Sequence, residues 1–389
     1  MPSEHAKLSC SSAHRWMHCP GSVKLAEGFP NTSSIYADEG TLAHSYAEKA
    51  IGGGRVGKEL KDKIKAFYAE HEELDGSLED MQKTLKPYMD YCQEEYLSEL
   101  ANDPATKIMK EEKVDLTGYI PGGFGTTDVA IVRSGYIHII DLKYGKGVQV
   151  SADHNPQIML YALGMLEAYD MIYDFEDVVM TIYQPRLDNV STFKMKAADL
   201  YKWGNDKVIP AAEESLTDDA PFNAGDWCQF CPARRFCRER ADYNMEVMNY
   251  KIKAMLTDKE VGDVLGKIDS LVRWANDLKD GALDKILTGG DIPGWKAVEG
   301  RSVRKFTGSE DEIVKAAGAA GYKKPMLFET KMITLSAMEK LMGKKAFADA
   351  VGQYVEKPEG KPTLAPESDK RQSINSSSAA EAFAGEFDN

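Results

Sequence analysis

The sequence predicts an α/β protein, on three observations. Two β-rich runs, Asp128–Arg133 and Tyr136–Lys143, flank Ser134-Gly135, a turn signal that indicates a hairpin. Further strand patterns lie at Lys107–Tyr119 and Val178–Pro185, one on each side of this hairpin in the chain. Segments with apolar residues at helical spacing precede, separate and follow these strands.

The hairpin register predicts a pair of facing carboxylates. A two-residue loop places Arg133 opposite Tyr136, and the same register places Asp128 opposite Asp141, with Cβ atoms roughly 4.5–5.5 Å apart. Lys143 follows Asp141 by two positions and therefore points to the same face. Opposed carboxylates repel unless a positive group joins them, so a hard cation, Mg²⁺ or Mn²⁺, explains the pair. The alternative is a solvated surface hairpin.

Composition excludes several classes of protein. The 389 residues are more than one domain usually needs. The net charge of −14 argues against a nonspecific nucleic-acid coat protein, but it leaves room for a nuclease with a local basic groove. The N-terminus lacks a signal-peptide core and no window approaches a membrane-spanning run, so we expect a cytoplasmic protein without a membrane partner. Six cysteines in this length do not suggest a disulfide framework.

Two segments before the hairpin offer further candidate ligands. The run Asp38–Ile51 has a helical stripe, with Thr41 as the expected N-cap and His44 in the first turn. A lone histidine at such a place is more often structural than a ligand. In the strand pattern that follows, Glu111 and Glu112 are adjacent and must face opposite ways, so one of them could point toward the aspartates.

The segment after the hairpin begins a helix. Asn155 is the expected N-cap and Pro156 occupies the first helical position. Gln157 and Tyr161 are four residues apart and share a face of this helix. They either reach the site or only close the helix against the sheet.

A second metal-binding pattern is built from cysteines. Cys228, Cys231 and Cys237 form C-x2-C-x5-C, which favours a metal over a disulfide in a cytosolic protein. Cys19, far upstream and also followed by proline, is the best candidate for a fourth ligand. Four thiolates can hold a 4Fe–4S cluster, with Zn²⁺ as the alternative. The arginines interleaved with these cysteines either contact DNA phosphate or are exposed charge.

The chain is expected to have three parts. Residues 1–245 form a domain closed by the four cysteines, residues 246–355 are mostly helical, and residues 356–389, rich in Pro, Ser, Gly and charge, form a flexible tail. Within the helical run Asn244–Leu287, the positions expected to face a core include Leu265, Ile268 and Val272.

Taken together, these residues resemble the PD-(D/E)XK nuclease superfamily. The resemblance rests on GTTD…DLK, an upstream Glu and His, and a downstream Gln-x3-Tyr. The cysteine pattern is similar to that of the RecB-like branch with an iron–sulfur cluster, which includes Cas4 and the AddB nuclease domain. The motifs RWxxCPGS, EGTxAH, DLKYGKG and NPQ also resemble those of a phage and prophage family of uncharacterised function, DUF2800.

The resemblance implies a fold and an activity. The fold is a mixed central sheet flanked by helices, with a four-cysteine iron–sulfur subdomain and a mostly helical C-terminal region. The activity is metal-dependent cleavage of DNA, as an exonuclease, in phage recombination, replication or end processing. The implied partners are single-stranded DNA or a duplex with an end, and a phage recombinase or single-strand-binding protein.

The resemblance also implies roles for individual residues. Lys143 would position the attacking water, and Gln157 and Tyr161 would hold the scissile strand. Mg²⁺ or Mn²⁺ would be bound by His44, Glu111, Asp128, Asp141 and the Leu142 carbonyl. The alternatives are a DNA-binding or adaptor protein with the nuclease fold, a structural metal cluster and little catalytic activity, and a zinc-stabilised structural protein.

Overall fold

The computed structural model describes residues 7–29, 34–246, 256–298, 309–320, 323–328 and 335–355. The chain divides into two compact units, Met1–Pro293 and Gly294–Asn389. The predicted tail, residues 356–389, lies outside the described residues. The domain boundaries that the sequence indicates stay predictions.

A mixed sheet forms the centre of the first unit. Its strands, in spatial order, are β1 Lys107–Asp115, β2 Phe124–Arg133, β3 Gly135–Leu142, β4 Phe175–Gln184 and β5 Asn189–Lys196. Neighbouring strands are antiparallel, except that β3 and β4 run parallel. Parallel strands need a long crossover, and the helix Pro156–Tyr173 supplies it. The predicted α/β class with a mixed sheet is therefore confirmed.

Helices make up most of the remaining described chain. In the first unit they are α1 Ala13–His18, α2 Ser22–Ala26, α3 Ile35–Ala50, α4 Lys58–Glu70, α5 Leu78–Asn102, α6 Pro156–Tyr173, α7 Ala197–Trp203, α8 Ile209–Ser215, α9 Arg238–Met245 and α10 Asp258–Leu287. In the second unit they are α11 Glu310–Ala319, α12 Leu335–Met342 and α13 Lys344–Val351.

Two apolar cores lie on opposite faces of the sheet. One joins α1, α6, α7 and α8 to the sheet and contains the fully buried Trp16 and Leu160. The other joins α3, α4 and α5 to the sheet and contains Leu85 and Ile140. The sheet is therefore covered by helices on both faces, which fixes the position of α3 on one face and α6 on the other.

Strands β1 and β2 change the phase of their side chains at the same rung. Met109 and Val114 both pack into the core that contains α6, although they are five positions apart and regular alternation would place them on opposite faces. Between them, Glu111 has a left-handed backbone, with φ of 51°. The register places Glu111 opposite Asp128, and this rung is missing from an otherwise continuous ladder. An irregular pair of this kind turns side chains away from the face that strict alternation would give them. Glu111 and Asp128 therefore both depart from the regular alternation of faces along their strands.

Two expectations about helices are wrong. Helix α3 begins at Ile35 with Ser34 as its N-cap, and Thr41 lies inside it with its hydroxyl donating to the Ala37 carbonyl. The two N-terminal turns carry few large apolar residues, which concealed them from the hydrophobic pattern. In α10 three of the five predicted core residues, Leu265, Ile268 and Val272, are 36–54% exposed, because the helix uses another face for its contacts. The other two, Leu271 and Trp274, are half-buried.

Candidate metal centres

The hairpin of β2 and β3 has the predicted register. Arg133 pairs with Tyr136 and Val129 pairs with Ile140, which makes Asp128 and Asp141 the next opposed positions. The Asp128 carboxylate turns toward β3, and its Oδ2 accepts a hydrogen bond of 2.7 Å from the Leu142 N–H. The Leu142 contact seen here is therefore made by its amide, and its carbonyl stays a predicted ligand.

His44 reaches Asp128 from α3. Its Nδ1 lies 3.0 Å from Asp128 Oδ1, and the two side chains are 29% and 14% exposed. Burial by itself would lower the pKa of His44, but the Asp128 and Asp141 carboxylates outweigh burial and raise it to about 9. Burial would likewise favour neutral Asp128, yet His44 and the Leu142 N–H hold its pKa below the ordinary 3.8. The pair is therefore a histidinium and a carboxylate.

Glu111, rather than Glu112, joins these two residues. One ligand atom each from His44, Glu111 and Asp128 lies within 4.8 Å of the others, the spacing of a set that could hold a metal ion. Partial desolvation and the nearby Asp128 charge raise the pKa of Glu111. Glu112 instead accepts a hydrogen bond of 2.7 Å from the Tyr169 hydroxyl on α6. The left-handed backbone at Glu111 therefore directs the Glu111 side chain to His44 and Asp128 and the Glu112 side chain to Tyr169.

The remaining predicted residues form a chain of polar contacts beside this set. Lys143 Nζ lies 2.9 Å from Asp141 Oδ2, in a geometry that leaves this buried oxygen without a hydrogen bond. Lys143 also donates to Gln157 Oε1 at 3.0 Å, and Gln157 donates to the Tyr161 hydroxyl at 3.0 Å. Burial raises the pKa of Asp141, and the Asp128 charge adds to this effect.

The donor set suits a hard divalent cation. We call the group His44, Glu111, Asp128, Asp141 and Lys143 the acidic centre. Carboxylate oxygens with one imidazole are ligands that Mg²⁺ and Mn²⁺ accept. Asp141 Oδ2 already has Lys143 as its ion-pair partner, so Asp141 stays a predicted further ligand of the ion. The protonated His44 side chain is paired with the Asp128 carboxylate. A cation that uses His44 as a ligand must therefore displace its proton.

The four predicted cysteines line one small pocket, which we call the cysteine pocket. Cys19, Cys228 and Cys231 are buried and Cys237 is partly buried. The Asn223 N–H points at Cys19 Sγ and the Gly225 N–H points at Cys228 Sγ, each at 3.4 Å. The other two cysteines, Cys10 and Cys92, lie in the apolar cores, as expected of ordinary buried thiols.

Burial raises the pKa of the Cys228 and Cys231 thiols. Thiols in this setting stay protonated unless a positive group replaces the proton. Amide donors aimed at sulfur are the kind of outer contact that metal–thiolate centres use. The pocket therefore fits a thiolate-bound metal or cluster.

The arginines of the cysteine segment have partners that neither sequence interpretation included. Arg234 and Arg240 both contact Asp277 of α10, at 3.1 and 2.6 Å. Arg235 pairs with Asp284 on the same helix. These charges hold α10 against the cysteine segment. The alternative of free exposed charge is therefore wrong for these three arginines, whereas contact with DNA phosphate stays a prediction.

Sequence reasoning missed one buried ion pair near the acidic centre. Glu39 on α3 is 2% exposed and accepts two hydrogen bonds from Arg186, of 2.7 and 2.5 Å. Tyr68 donates to the same carboxylate at 2.8 Å, and the Arg186 guanidinium lies over the Tyr144 ring at 4.0 Å. A charged residue within a helical stripe that contains Leu42 and Tyr46 was the available signal.

Comparison with protein families gives one match, over nearly the whole chain. The family described as "Protein of unknown function (DUF2800)" matches residues 5–372. The chain belongs to the DUF2800 family. The match covers the acidic centre, the cysteine pocket and both units, so this part of the predicted resemblance is confirmed.

One solved structure, titled "Crystal structure of SSO0001", resembles this DUF2800 protein over 51% of this chain and 96% of that chain. The two sequences are 14% identical, and the TM-score is 0.22, which is too low for the likeness to bear on the fold.

The described helices were also compared with the dimensions of a bilayer. None of those helices combines the length and the apolar character needed to cross a membrane.

Proposed function

We propose that this protein is a Mg²⁺- or Mn²⁺-dependent deoxyribonuclease of the PD-(D/E)XK type that degrades DNA from an end. The observation that carries the proposal is the acidic centre, where three ligand atoms lie within 4.8 Å of one another beside a paired Asp141 and Lys143. A structural metal site needs no ammonium beside its ligands. Hydrolysis of a phosphodiester does use one, to orient water and to balance charge on the phosphorus centre.

The residues divide the work between binding the ion and orienting the water. A divalent ion held by His44, Glu111 and Asp128 would supply a Lewis acid for the phosphoryl oxygen and would lower the pKa of a bound water. Lys143 holds the attacking water with its ammonium, and Asp141 keeps that ammonium in place. Gln157 orients Lys143 by accepting a hydrogen bond from its ammonium at Oε1. Gln157 also donates a hydrogen bond to the Tyr161 hydroxyl. Together Gln157 and Tyr161 form the surface that the scissile strand would meet.

We propose a 4Fe–4S cluster as the occupant of the cysteine pocket. The remote Cys19 and the C-x2-C-x5-C run match the cysteine pattern of the iron–sulfur branch, and four thiolates can hold such a cluster. Zn²⁺ is the alternative occupant. Visible absorption of the purified protein would separate the cluster from colourless Zn²⁺.

The second candidate is a protein of nuclease fold that binds DNA or acts as an adaptor, with a structural metal cluster and little cleavage. The acidic net charge of −14 favours the adaptor form of this candidate, because unaided DNA binding is weaker on an acidic background. In either case we propose single-stranded DNA or a duplex end as the ligand, and a phage recombinase or single-strand-binding protein as a partner.

The test is a degradation assay with DNA labelled separately at each end, in Mg²⁺ or Mn²⁺. We expect metal-dependent loss of label with the wild type, and a fall of at least about a hundredfold with Asp128→Ala and with Lys143→Ala. The matched control is Asp177→Ala, which removes an exposed carboxylate paired with Lys196 on the same sheet. No degradation by the wild type under any of these conditions, or equal rates in all four proteins, would exclude the nuclease.

A further inference from the structure

The turn between β4 and β5 contacts residues on both sides of the acidic centre, on α3 and in the segment that follows β3. This turn, which we call the clamp turn, spans Gln184 to Asn189 and includes Arg186. It lies at the end of β4, next to the point where β3 delivers Lys143, since the Lys143 N–H donates to the Tyr183 carbonyl at 2.9 Å. Neither the family description nor the proposed roles assign anything to it.

Arg186 makes the first connection, to α3 and to Tyr144. Its guanidinium forms a two-pronged contact with Glu39, five residues before His44 on the same helix. The same guanidinium lies over the Tyr144 ring and donates to its hydroxyl at 3.2 Å. Tyr144 directly follows Lys143. One side chain therefore fixes the helix that carries His44 and the residue beside Lys143.

Gln184 and Asn189 make the second connection, to the loop that joins Lys143 to Gln157. Gln184 accepts from the Val150 N–H at 2.7 Å and donates to the Val148 carbonyl at 2.9 Å. Asn189 donates to the Val150 carbonyl at 3.0 Å. These bonds attach the middle of the loop to the end of β4 and the start of β5. They therefore restrict the separation of Lys143 and Gln157, which lie at the two ends of the loop.

We propose that the clamp turn is the positioning element of the acidic centre, with Arg186 and Glu39 setting His44 against Asp128 and with Asn189 setting Lys143 against Gln157. The inference rests on the function proposed above. A buried ion pair is a weak contributor to stability, because desolvation offsets most of its attraction. Its fixed two-pronged geometry does define where two elements meet, and a lysine cannot reproduce that geometry.

The test compares Arg186→Gln, Arg186→Lys and Asn189→Ala with the wild type. The control is Arg133→Gln, which changes the last residue of β2 and breaks another half-buried pair, with Glu99. Mn²⁺ affinity is measured by electron paramagnetic resonance, and kcat and KM are measured on end-labelled DNA. Melting of the metal-free proteins reports folding separately.

We expect Arg186→Gln to weaken Mn²⁺ binding by roughly ten- to a hundredfold, the range found when groups that orient metal ligands are removed. Arg186→Lys should recover part of this loss. Asn189→Ala should keep the Mn²⁺ affinity and lower kcat about tenfold with little change in KM, because it displaces Lys143 and not the ligands. Arg133→Gln should change neither property, whatever it does to the melting temperature.

Three results would overturn the inference. If Arg186→Gln folds and keeps the wild-type Mn²⁺ affinity while the wild type is active, the clamp turn is merely structural and the nuclease proposal survives. If Arg186→Gln does not fold, Arg186→Lys and Asn189→Ala decide in the same way: unchanged affinity in the first together with unchanged kcat in the second rejects the positioning role. A wild type that binds no Mn²⁺ rejects both proposals.

Discussion

The acidic centre and the cysteine pocket are both assembled from distant parts of the chain, but their charges are balanced differently. In the acidic centre each of two aspartates faces a cation of the protein, His44 or Lys143. In the cysteine pocket, burial keeps Cys228 and Cys231 neutral. The first is already an ion-paired structure without a metal, whereas the second gains its charged form only with one.

This difference predicts opposite roles for the two occupants. A cation that enters the acidic centre replaces a proton and rearranges existing pairs, so the surrounding fold changes little. An occupant of the cysteine pocket ties α1 and α2 to the segment before α9 across about two hundred residues of chain. Closing so long a loop contributes on the order of 5 kcal/mol to the stability of the folded chain in a simple entropy model.

The largest expected effect therefore comes from the cysteines. We expect Cys231→Ser to abolish visible absorption and to lower the free energy of unfolding by about 5 kcal/mol, enough to deplete the soluble protein. Chemical unfolding and absorption spectra of the purified proteins measure both quantities. Cys92→Ala is the control: it also removes a buried thiol, but from the core beside α5, so the absorption should persist. Visible absorption that persists in Cys231→Ser would contradict the predicted role of the cysteine pocket, because its occupant would not need this thiolate.

The next effect concerns pH. The pKa of His44 in the folded protein is about 9, above its ordinary 6.5. The stabilisation is therefore fully present below about pH 6.5 and is lost as the pH rises through about 9, with a total of at most about 3 kcal/mol. We expect the metal-free wild type to lose this stability over that window, and His44→Gln to lose the pH dependence.

Chemical unfolding at a series of pH values measures this effect. A wild type whose stability is flat between pH 6.5 and 9, or a His44→Gln variant that follows the wild-type curve, would show that the Asp128 pair is not formed. The charges of the acidic centre would then not be balanced by groups of the protein, and this centre would not differ from the cysteine pocket in the way described above.

The smallest effect tests the backbone of the irregular rung. Glu111 holds a left-handed φ of 51°, which is unfavourable for a residue with a Cβ atom and free for glycine. We expect Glu111→Gly to be more stable than Glu111→Ala by about 1 kcal/mol, although both lose the carboxylate and bind Mn²⁺ equally poorly. Glu112→Ala serves as the control, since it loses only the Tyr169 contact and should keep the metal affinity. Glycine and alanine variants of equal stability would contradict the strain.

The sequence predicted the parts of the site that follow from local rules. Strand alternation and a two-residue loop were enough to oppose Asp128 and Asp141, and capping rules placed Asn155 at the start of α6. These features depend on neighbouring residues in the chain or on one tight turn. The resemblance to nucleases then supplied His44 and Glu111, which no local rule connects with the hairpin.

The sequence did not predict the features that depend on packing. The phase change at Glu111 is a backbone irregularity that regular alternation cannot foresee. The Arg186–Glu39 pair joins elements far apart in the chain, and α10 receives its arginines on a face that its apolar pattern does not mark. In each case tertiary contacts decided between local arrangements of similar energy.

We expect the acidic centre to bind one divalent cation through His44, Glu111 and Asp128. A calorimetric titration of the wild type with Mn²⁺, in two buffers of different ionisation enthalpy and below pH 9, measures this binding. We expect one site, release of the His44 proton and tighter binding as the pH rises, with binding lost in Asp128→Ala and retained in Asp177→Ala. Equal Mn²⁺ affinity in Asp128→Ala and the wild type, or no binding by either, would contradict the account.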